Sequence, residues 1–187
     1  MKEDAFWYEA ACVVGVTNAL NVVADGLPAD VLPPVPEATA GAEARAVLDE
    51  IRGFYGELPA PFLTLARDPR YLSDLWSAVR RAFDDQRLTR RLKEALAFAV
   101  SLTSRSRFGT GFHLAQMRRL GIGDAGVMEI VGVTQMFSSY TKIADTLQLE
   151  SDMADIAPID PTPAPGGQPA VVRSPAGRHR RDDDDDG

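Results

Sequence analysis

The sequence predicts an all-α protein. Apolar residues recur at the three- and four-residue spacing of helices along most of the chain, and no segment shows the sustained alternation typical of a strand. Proline and glycine interrupt this pattern at short intervals and so divide it into separate helices. The segments predicted to be helical are 5–25, 42–56, 60–68, 69–85, 87–104, 111–121 and 125–147.

The composition limits the class of protein. The 187 residues, with a net charge of −7 and an isoelectric point near 4.8, are enough for one domain and argue against a general nucleic-acid binder. No apolar run reaches about 18 residues without a charge or a strong polar break, and the acidic start is unlike a secretion signal. Cys12 is the single cysteine, which excludes an intrachain disulfide and a cysteine zinc site. We expect a cytoplasmic protein with no membrane contact, no metal and no cofactor.

The chain divides into four predicted parts. Residues 1–27 form an N-terminal helix that is apolar almost throughout, and residues 28–40 form a proline-rich linker. Residues 41–149 hold the remaining helices. Residues 150–187 are rich in proline, glycine and charge and lack the apolar periodicity that offsets the entropy of ordering, so they are predicted to be disordered.

Local signals place the ends of several helices in the domain. Pro69 suits the first turn of the fourth helix. The fifth helix begins polar and becomes wholly apolar, so its second half is predicted to be buried. Gly121 is placed as a left-handed cap after the sixth helix, and Asp124 can cap the last one.

An internal repeat links the first and last helices. Residues 6–27 align without a gap on residues 126–147, at an offset of 120. The aligned pairs include Glu9 with Glu129, and the shared motif A-D-x-L ends both segments. This pattern favours a true repeat over a chance likeness of two helices, so the N-terminal helix is interpreted as the last helix of a preceding unit.

The stretch KEALAFAVSLTSRSRFGTGFHLAQMRRLGIGDAGVMEIVGV resembles the core of the carboxymuconolactone decarboxylase and alkylhydroperoxidase D-like superfamily. The upstream LDEIRGFYGELPAPFLTLARDPRYL is similar to the lead-in helices of that group. The resemblance covers about residues 41–149. It implies an alkylhydroperoxidase D-like helical bundle, here with an extra N-terminal helix, and it implies oligomers.

The resemblance also locates a degenerate redox motif. The redox branch carries a glutamate followed by C-x-x-C-x-x-x-H, and here Glu94 and His113 fill the glutamate and histidine positions. The two cysteine positions hold Ser106 and Gly109. Because a thiolate is the nucleophile of a dithiol peroxidase, this chain is predicted to lack that activity. The decarboxylase branch also lacks the cysteine pair, so the resemblance allows a cysteine-free acid–base enzyme.

Glu94 and His113 are the candidate catalytic residues. A carboxylate on an apolar face has a pKa raised by desolvation, and a histidine near a helix N-terminus is biased toward its neutral form, so the two could exchange a proton. The candidate substrate-binding residues, meant for a small organic acid, are Arg105, Ser106, Arg107, Phe108 and Phe112. The alternative is that the pair only fixes helix packing, that the arginines are solvated and that the phenylalanines belong to the core.

Two function classes therefore remain open. One is a non-redox decarboxylase, isomerase or lyase that uses Glu94 and His113, and the other is a non-catalytic helical subunit. A cleft containing both side chains favours the first, and a filled site favours the second. We also expect that the apolar N-terminal helix reaches away from its own core into a subunit interface, and the alternative is that it folds back onto its own domain. The expected partner is an identical chain or a separate subunit that supplies the missing half-repeat.

Overall fold

The structure is a computed structural model that describes residues 4–27 and 29–149. The tail 150–187, predicted to be disordered, lies outside the described residues. Within them the chain is helical with no strand, so the prediction of an all-α protein is confirmed. The helices are α1 (Asp4–Gly26), α2 (Ala42–Tyr55), α3 (Ala60–Leu65), α4 (Pro69–Phe83), α5 (Arg90–Ser104), α6 (Arg107–Arg119) and α7 (Asp124–Leu147), with a 3₁₀ turn at Glu37–Thr39 before α2.

Capping residues fix several helix ends. Pro69 stands at the first position of α4, and the Asp68 side chain accepts a hydrogen bond from the Tyr71 N–H at 3.1 Å. Gly56 ends α2 with φ of 75°, and Gly121 follows α6 with φ of 78°. Both glycines occupy the left-handed region that strains other residues.

Several helix starts differ from the prediction, among them that of α5, which begins at Arg90 and not at 87 because the Thr89 side chain caps it. α6 begins at Arg107, four residues before the predicted start at Gly111, because the Ser106 side chain caps it. Asp124 does not cap α7 from outside: it is the first helical residue, and it forms an ion pair with Arg118. At these junctions the helix boundaries depend on polar side chains, because the apolar pattern there is too weak to locate the ends of the helices.

The main core lies among α1, α2, α3 and α4. Its largest members are aromatic side chains packed edge to face, with ring centroids 5.4 Å apart for Phe54 and Trp76 and 6.0 Å apart for Phe62 and Trp76. Leu48, Ile51, Leu72 and Val79 are fully enclosed among them. A second, smaller cluster under α7 contains Phe98, Met117 and Ile122.

Helix α1 packs on its own domain. It lies mainly against α5 and also contacts α3, α4 and α6. Val13, Thr17, Leu20 and Asn21 form its buried face. The expectation that this helix reaches away from its own core is therefore wrong, because the linker returns the chain and the buried face of α1 completes the core.

By length and a mean hydropathy of 1.2, the segment Ala5–Gly26 is apolar enough to cross a membrane. One face of this segment packs on the domain, and 28% of the segment is buried. The face turned to the domain carries the polar side chains of Glu9, Thr17 and Asn21. Asn21 has a polar partner on α5, and Glu9 has one in the α4–α5 loop. Length and composition alone do not distinguish a membrane-spanning helix from a core helix of a globular protein.

Glu9 attaches α1 to the α4–α5 loop. Its carboxylate accepts the backbone N–H of Arg87 at 3.1 Å and of Leu88 at 2.9 Å, and it lies 3.4 Å from the ammonium of Lys93, which is fully buried. Burial raises the pKa of Glu9, but the two backbone hydrogen bonds and the Lys93 charge outweigh burial, so the pKa is lowered. The charged form of Glu9 is thus the one that holds the helix.

We predict that Glu9→Gln lowers the free energy of unfolding at neutral pH by about 1.5–3 kcal/mol, the range for hydrogen bonds to a charged group. A lowered folded-state pKa means that this stabilisation is present above the unfolded pKa and is lost as the pH falls through the folded pKa. Urea titrations of both proteins from pH 7 downward should converge in acid. The exposed Glu43→Gln is the control. A constant gap at every pH would contradict the role of the charge.

Candidate functional site

A two-residue turn brings the candidate pair together. α5 ends at Ser104, Arg105 adopts a left-handed conformation with φ of 59°, and Ser106 caps α6. The two helices then pack along their length, so that residues at increasing distance from the turn face each other. Glu94 on α5 and His113 on α6, 19 residues apart in sequence, meet across this contact.

The Glu94–His113 pair is closed off from solvent. His113 Nδ1 donates to Glu94 Oε2 at 2.7 Å. Glu94 is 0% exposed and His113 is 2% exposed. The imidazole stacks on the Phe83 ring with centroids 5.9 Å apart and an interplanar angle of 8°. Its edge meets Phe112, with centroids 5.1 Å apart. Aromatic rings therefore surround the histidine.

Arg90 binds the other oxygen of Glu94. Its Nε and Nη2 lie 2.7 Å and 2.6 Å from Oε1, and its guanidinium covers the Phe54 ring at 4.2 Å from the centroid. Arg90 was not among the residues predicted from the sequence. The signal was present, because Arg90 and Glu94 stand four apart on one helix, the spacing at which side chains meet.

Tyr55 stands beside this charge network. Its ring lies 5.3 Å from the Arg90 guanidinium, and its hydroxyl is buried without a hydrogen-bond partner in the structure. Burial and the negative charge of Glu94 raise the pKa of Tyr55, while Arg90 lowers it in part. The phenol therefore stays protonated at every physiological pH.

No family model matches the sequence, and no curated protein matches it. Among solved structures, the chain is similar to the crystal structure of the alkylhydroperoxidase AhpD core from Rhodospirillum rubrum. The TM-score is 0.59 at 24% sequence identity, over 63% of this chain and 89% of that one. The chain has the AhpD-like fold. This confirms the fold that the sequence resemblance implied.

Gly109, which the sequence resemblance places at the second cysteine position, is covered by α1. Gly109 is buried, and a Cβ on it would overlap Asn21 Oδ1 and Ser101 Oγ. Asn21 Nδ2 donates to the hydroxyls of Ser101 and Ser104, at 3.2 Å each. The side chain of Asn21 therefore occupies the space into which a side chain at 109 would point.

Ser106, which the sequence resemblance places at the first cysteine position, caps α6. Ser106 is 3% exposed, and its Oγ accepts the Gly109 N–H at 2.9 Å. This hydrogen bond satisfies one of the free N–H groups at the start of α6. The Ser106 hydroxyl thus has a structural role as the cap of α6. That it also binds a substrate stays a prediction.

The predicted substrate-binding residues do not share one cavity. Arg105 lines a cavity of about 720 Å³ between α5 and α7, Ser106 lines one of about 360 Å³ beside the end of α1, and Phe108 lines one of about 150 Å³ beside the linker. Arg107 is exposed, and Phe112 packs on Tyr55 with centroids 5.0 Å apart. The structure thus brings Glu94 and His113 together and leaves the two arginines at the surface.

Metal ligands are not gathered in the described part of the chain. Across residues 4–27 and 29–149, no three His, Cys, Asp or Glu side chains stand close enough together to hold an ion. The Glu94 carboxylate beside His113 already forms an ion pair with Arg90.

We predict that Gly109→Ala destabilises the protein by about 1–3 kcal/mol, the usual cost of overpacking, because the new methyl group overlaps Asn21 and Ser101. Gly111→Ala in the same helix is the control: nothing lies within 4 Å of its new Cβ, so alanine should stabilise by up to about 1 kcal/mol. Chemical denaturation measures both. Adding Asn21→Ala should recover part of the loss at 109, and equal effects of the two glycine variants would contradict the overlap.

We also predict that the purified chain shows no peroxide turnover coupled to a dithiol reductant, because serine and glycine hold both thiol positions. Cys12 is a lone, half-buried thiol on α1. Reductant oxidation would be followed with and without peroxide, beside heat-inactivated protein. Turnover that survives Cys12→Ser would defeat the prediction.

Proposed function

We propose that the chain is a non-catalytic, non-redox subunit of the AhpD-like fold, in which the Glu94–His113 pair holds helices together. One observation carries this proposal: both oxygens of Glu94 are committed to protein groups in a closed site. Oε1 accepts from Arg90 and Oε2 accepts from His113, and the carboxylate is 0% exposed. The pair belongs to the interior of the bundle.

The charges at the site also argue against a role of Glu94 as a general acid or base. A general acid or base must change its protonation state, and protonation of Glu94 would leave the guanidinium of Arg90 without its counter-charge among aromatic rings. A buried charge that loses its partner is costly. The network is therefore well suited to fix the packing of α5 and α6 and poorly suited to pass protons.

The positions of the neighbouring residues support the same proposal. An organic acid needs a cation beside the reacting group, and the candidates Arg105 and Arg107 lie at the surface. Asn21 and Ser101 fill the space one turn from His113, toward the α5–α6 turn. A subunit role needs apolar surface instead, and α7 has large exposed apolar side chains along its length.

The second candidate function is a non-redox decarboxylase, isomerase or lyase that acts on a small organic acid through the same pair. The Nδ1–Oε2 hydrogen bond favours it, because a carboxylate that holds one ring nitrogen leaves Nε2 for proton transfer. In this function Glu94 orients His113 and does not itself react. A cytoplasmic location and self-association remain predictions for either function.

We predict that Glu94→Ala lowers the free energy of unfolding by about 3–5 kcal/mol, the cost of removing one partner of a buried ion pair. Asp49→Ala is the matched control, since its pair with Arg52 at 2.9 Å is exposed and should contribute at most about 1 kcal/mol. Thermal and urea unfolding give both values. A loss no larger than that of the control would argue against a structural role.

The enzyme alternative has a separate measurement. A panel of small unsaturated and hydroxylated carboxylic acids would be incubated with the full chain, and product formation would be followed by nuclear magnetic resonance. His113→Gln keeps a polar side chain at the site, so it separates turnover from folding. Turnover by the folded wild type that His113→Gln abolishes would overturn the non-catalytic proposal.

A further inference from the structure

A cavity of about 510 Å³ opens between α1 and α4. Its volume falls within the range of about 300–1,000 Å³ that is usual for small-molecule sites in proteins. The residues that line it come from α1, α4 and the α4–α5 loop, and we call it the α1–α4 cavity. Neither Glu94 nor His113 lines it, so the role of that pair does not account for it.

The α1–α4 cavity is elongated along α1. Between positions 5 and 16 its lining residues on this helix recur at helical spacing over about three turns, or about 16 Å. Small residues leave the space open: Gly15 on α1 and Ala78 and Ala82 on α4. Cys12 and Val16 are half-buried in its wall and pack against the main core. A long apolar cavity of this kind suits an extended chain better than a compact ring.

Positive charge is in excess at the rim of the cavity. Arg81, in the last turn of α4, and Arg87, in the α4–α5 loop, both border it with exposed side chains. The carboxylate in the described lining belongs to Glu9, which already accepts two backbone N–H groups and pairs with the buried Lys93. The Arg87 guanidinium comes no closer to that carboxylate than 3.9 Å. Two guanidinium groups are therefore left to attract an anion, although the chain has a net charge of −7.

An apolar cavity with cations at its rim is complementary to a molecule that has an alkyl chain and one anionic head group. We propose that the α1–α4 cavity binds an unbranched medium-chain carboxylate, with the alkyl chain along Cys12 and Val16 and the carboxylate between Arg81 and Arg87. Hydrogen bonds from a guanidinium to a carboxylate are among the strong ones in proteins. The proposal concerns binding and no reaction, and it goes beyond the function proposed for the Glu94–His113 pair.

Cys12 can report whether the cavity is occupied. It is the single cysteine of the chain, and its half-buried thiol lines the cavity. A bound alkyl chain should cover this thiol, so its reaction with a neutral pyridyl disulfide should slow several-fold at saturating decanoate. The control carries Cys12→Ser together with Ser139→Cys, which moves the thiol to an exposed position on α7. Its reaction rate should be the same with and without decanoate.

A series of carboxylates measures the contribution of the alkyl chain. Hexanoate, octanoate and decanoate are titrated into the full chain by calorimetry, below the concentrations at which they form micelles. A buried methylene contributes about 0.8 kcal/mol, or about fourfold in affinity, so Kd should fall by roughly tenfold for every two carbons added. Benzoate, a compact ring, should bind more weakly than octanoate. Decylamine, whose charge is opposite, should bind more weakly than decanoate.

Gly15→Leu tests the cavity itself. Nothing lies within 4 Å of a Cβ at this position, so the new side chain can take up the open space without displacing a neighbour, and leucine favours a helix more than glycine does. Decanoate affinity should fall by about tenfold or more, the equivalent of two lost methylene contacts. Gly53→Leu is the matched control, because a Cβ there is equally free and α2 does not line the cavity.

Arg81→Gln and Arg87→Gln test the head group. Each should weaken decanoate binding several-fold, and the difference from the wild type should shrink as the salt concentration rises, because salt screens exposed charges. Arg70→Gln is the control on the same helix, since Arg70 is exposed and lies outside the lining of the cavity. It should bind decanoate as the wild type does.

Decanoate that does not bind, that binds Gly15→Leu as tightly as the wild type, or that leaves the Cys12 reaction unchanged would overturn the proposal. So would binding that Phe137→Glu abolishes, because the exposed apolar side chains of α7 are the competing surface. Should Gly15→Leu not fold, the protection of Cys12 in the wild-type chain decides. Turnover that depends on His113 would overturn the proposed function without changing these readings.

Discussion

The buried charge of Glu94 is the constraint on which the arrangement of the helices depends. A carboxylate without water must find its partners in the protein, and here they come from two helices, Arg90 from α5 itself and His113 from α6. Aromatic side chains of α2 and α4 then cover the guanidinium and the imidazole. The hydrogen bond to His113 requires α5 and α6 to keep one rotation and one separation, and the aromatic contacts fix α2 and α4 against them, so the partners of one carboxylate specify the geometry of the bundle's centre.

The fold was predictable from the sequence because helix formation here follows local rules. Apolar spacing located every helix, and residues such as Pro69 and Gly121 marked their ends. The start of α6 was missed because its first turn holds glycines and an arginine, so only the hydroxyl of Ser106 marks it. Capping by one side chain carries less signal than a periodic pattern over several turns.

The site was predictable only in part. Spacing identified Glu94 and His113, and the structure joins them. Asn21, which packs against Gly109, and Phe83, which stacks on His113, belong to helices distant in sequence. No local sequence pattern predicts which side chain will fill the space beside a glycine. The placement of α1 was wrong for a related reason: its apolarity indicated burial, but apolarity does not say against which surface a helix is buried.

The short α5–α6 turn has a consequence for how this chain can vary. Only Arg105 and Ser106 separate the two helices, so the rotation of α6 relative to α5 is set by their backbone. One inserted residue would turn the faces of α6 by about 100° and carry His113 away from Glu94. The exposed side chain of Arg105 can change in chemistry without moving α6. The number of residues between Glu94 and His113 is therefore a stricter constraint on this chain than the chemistry of the exposed side chain at the turn.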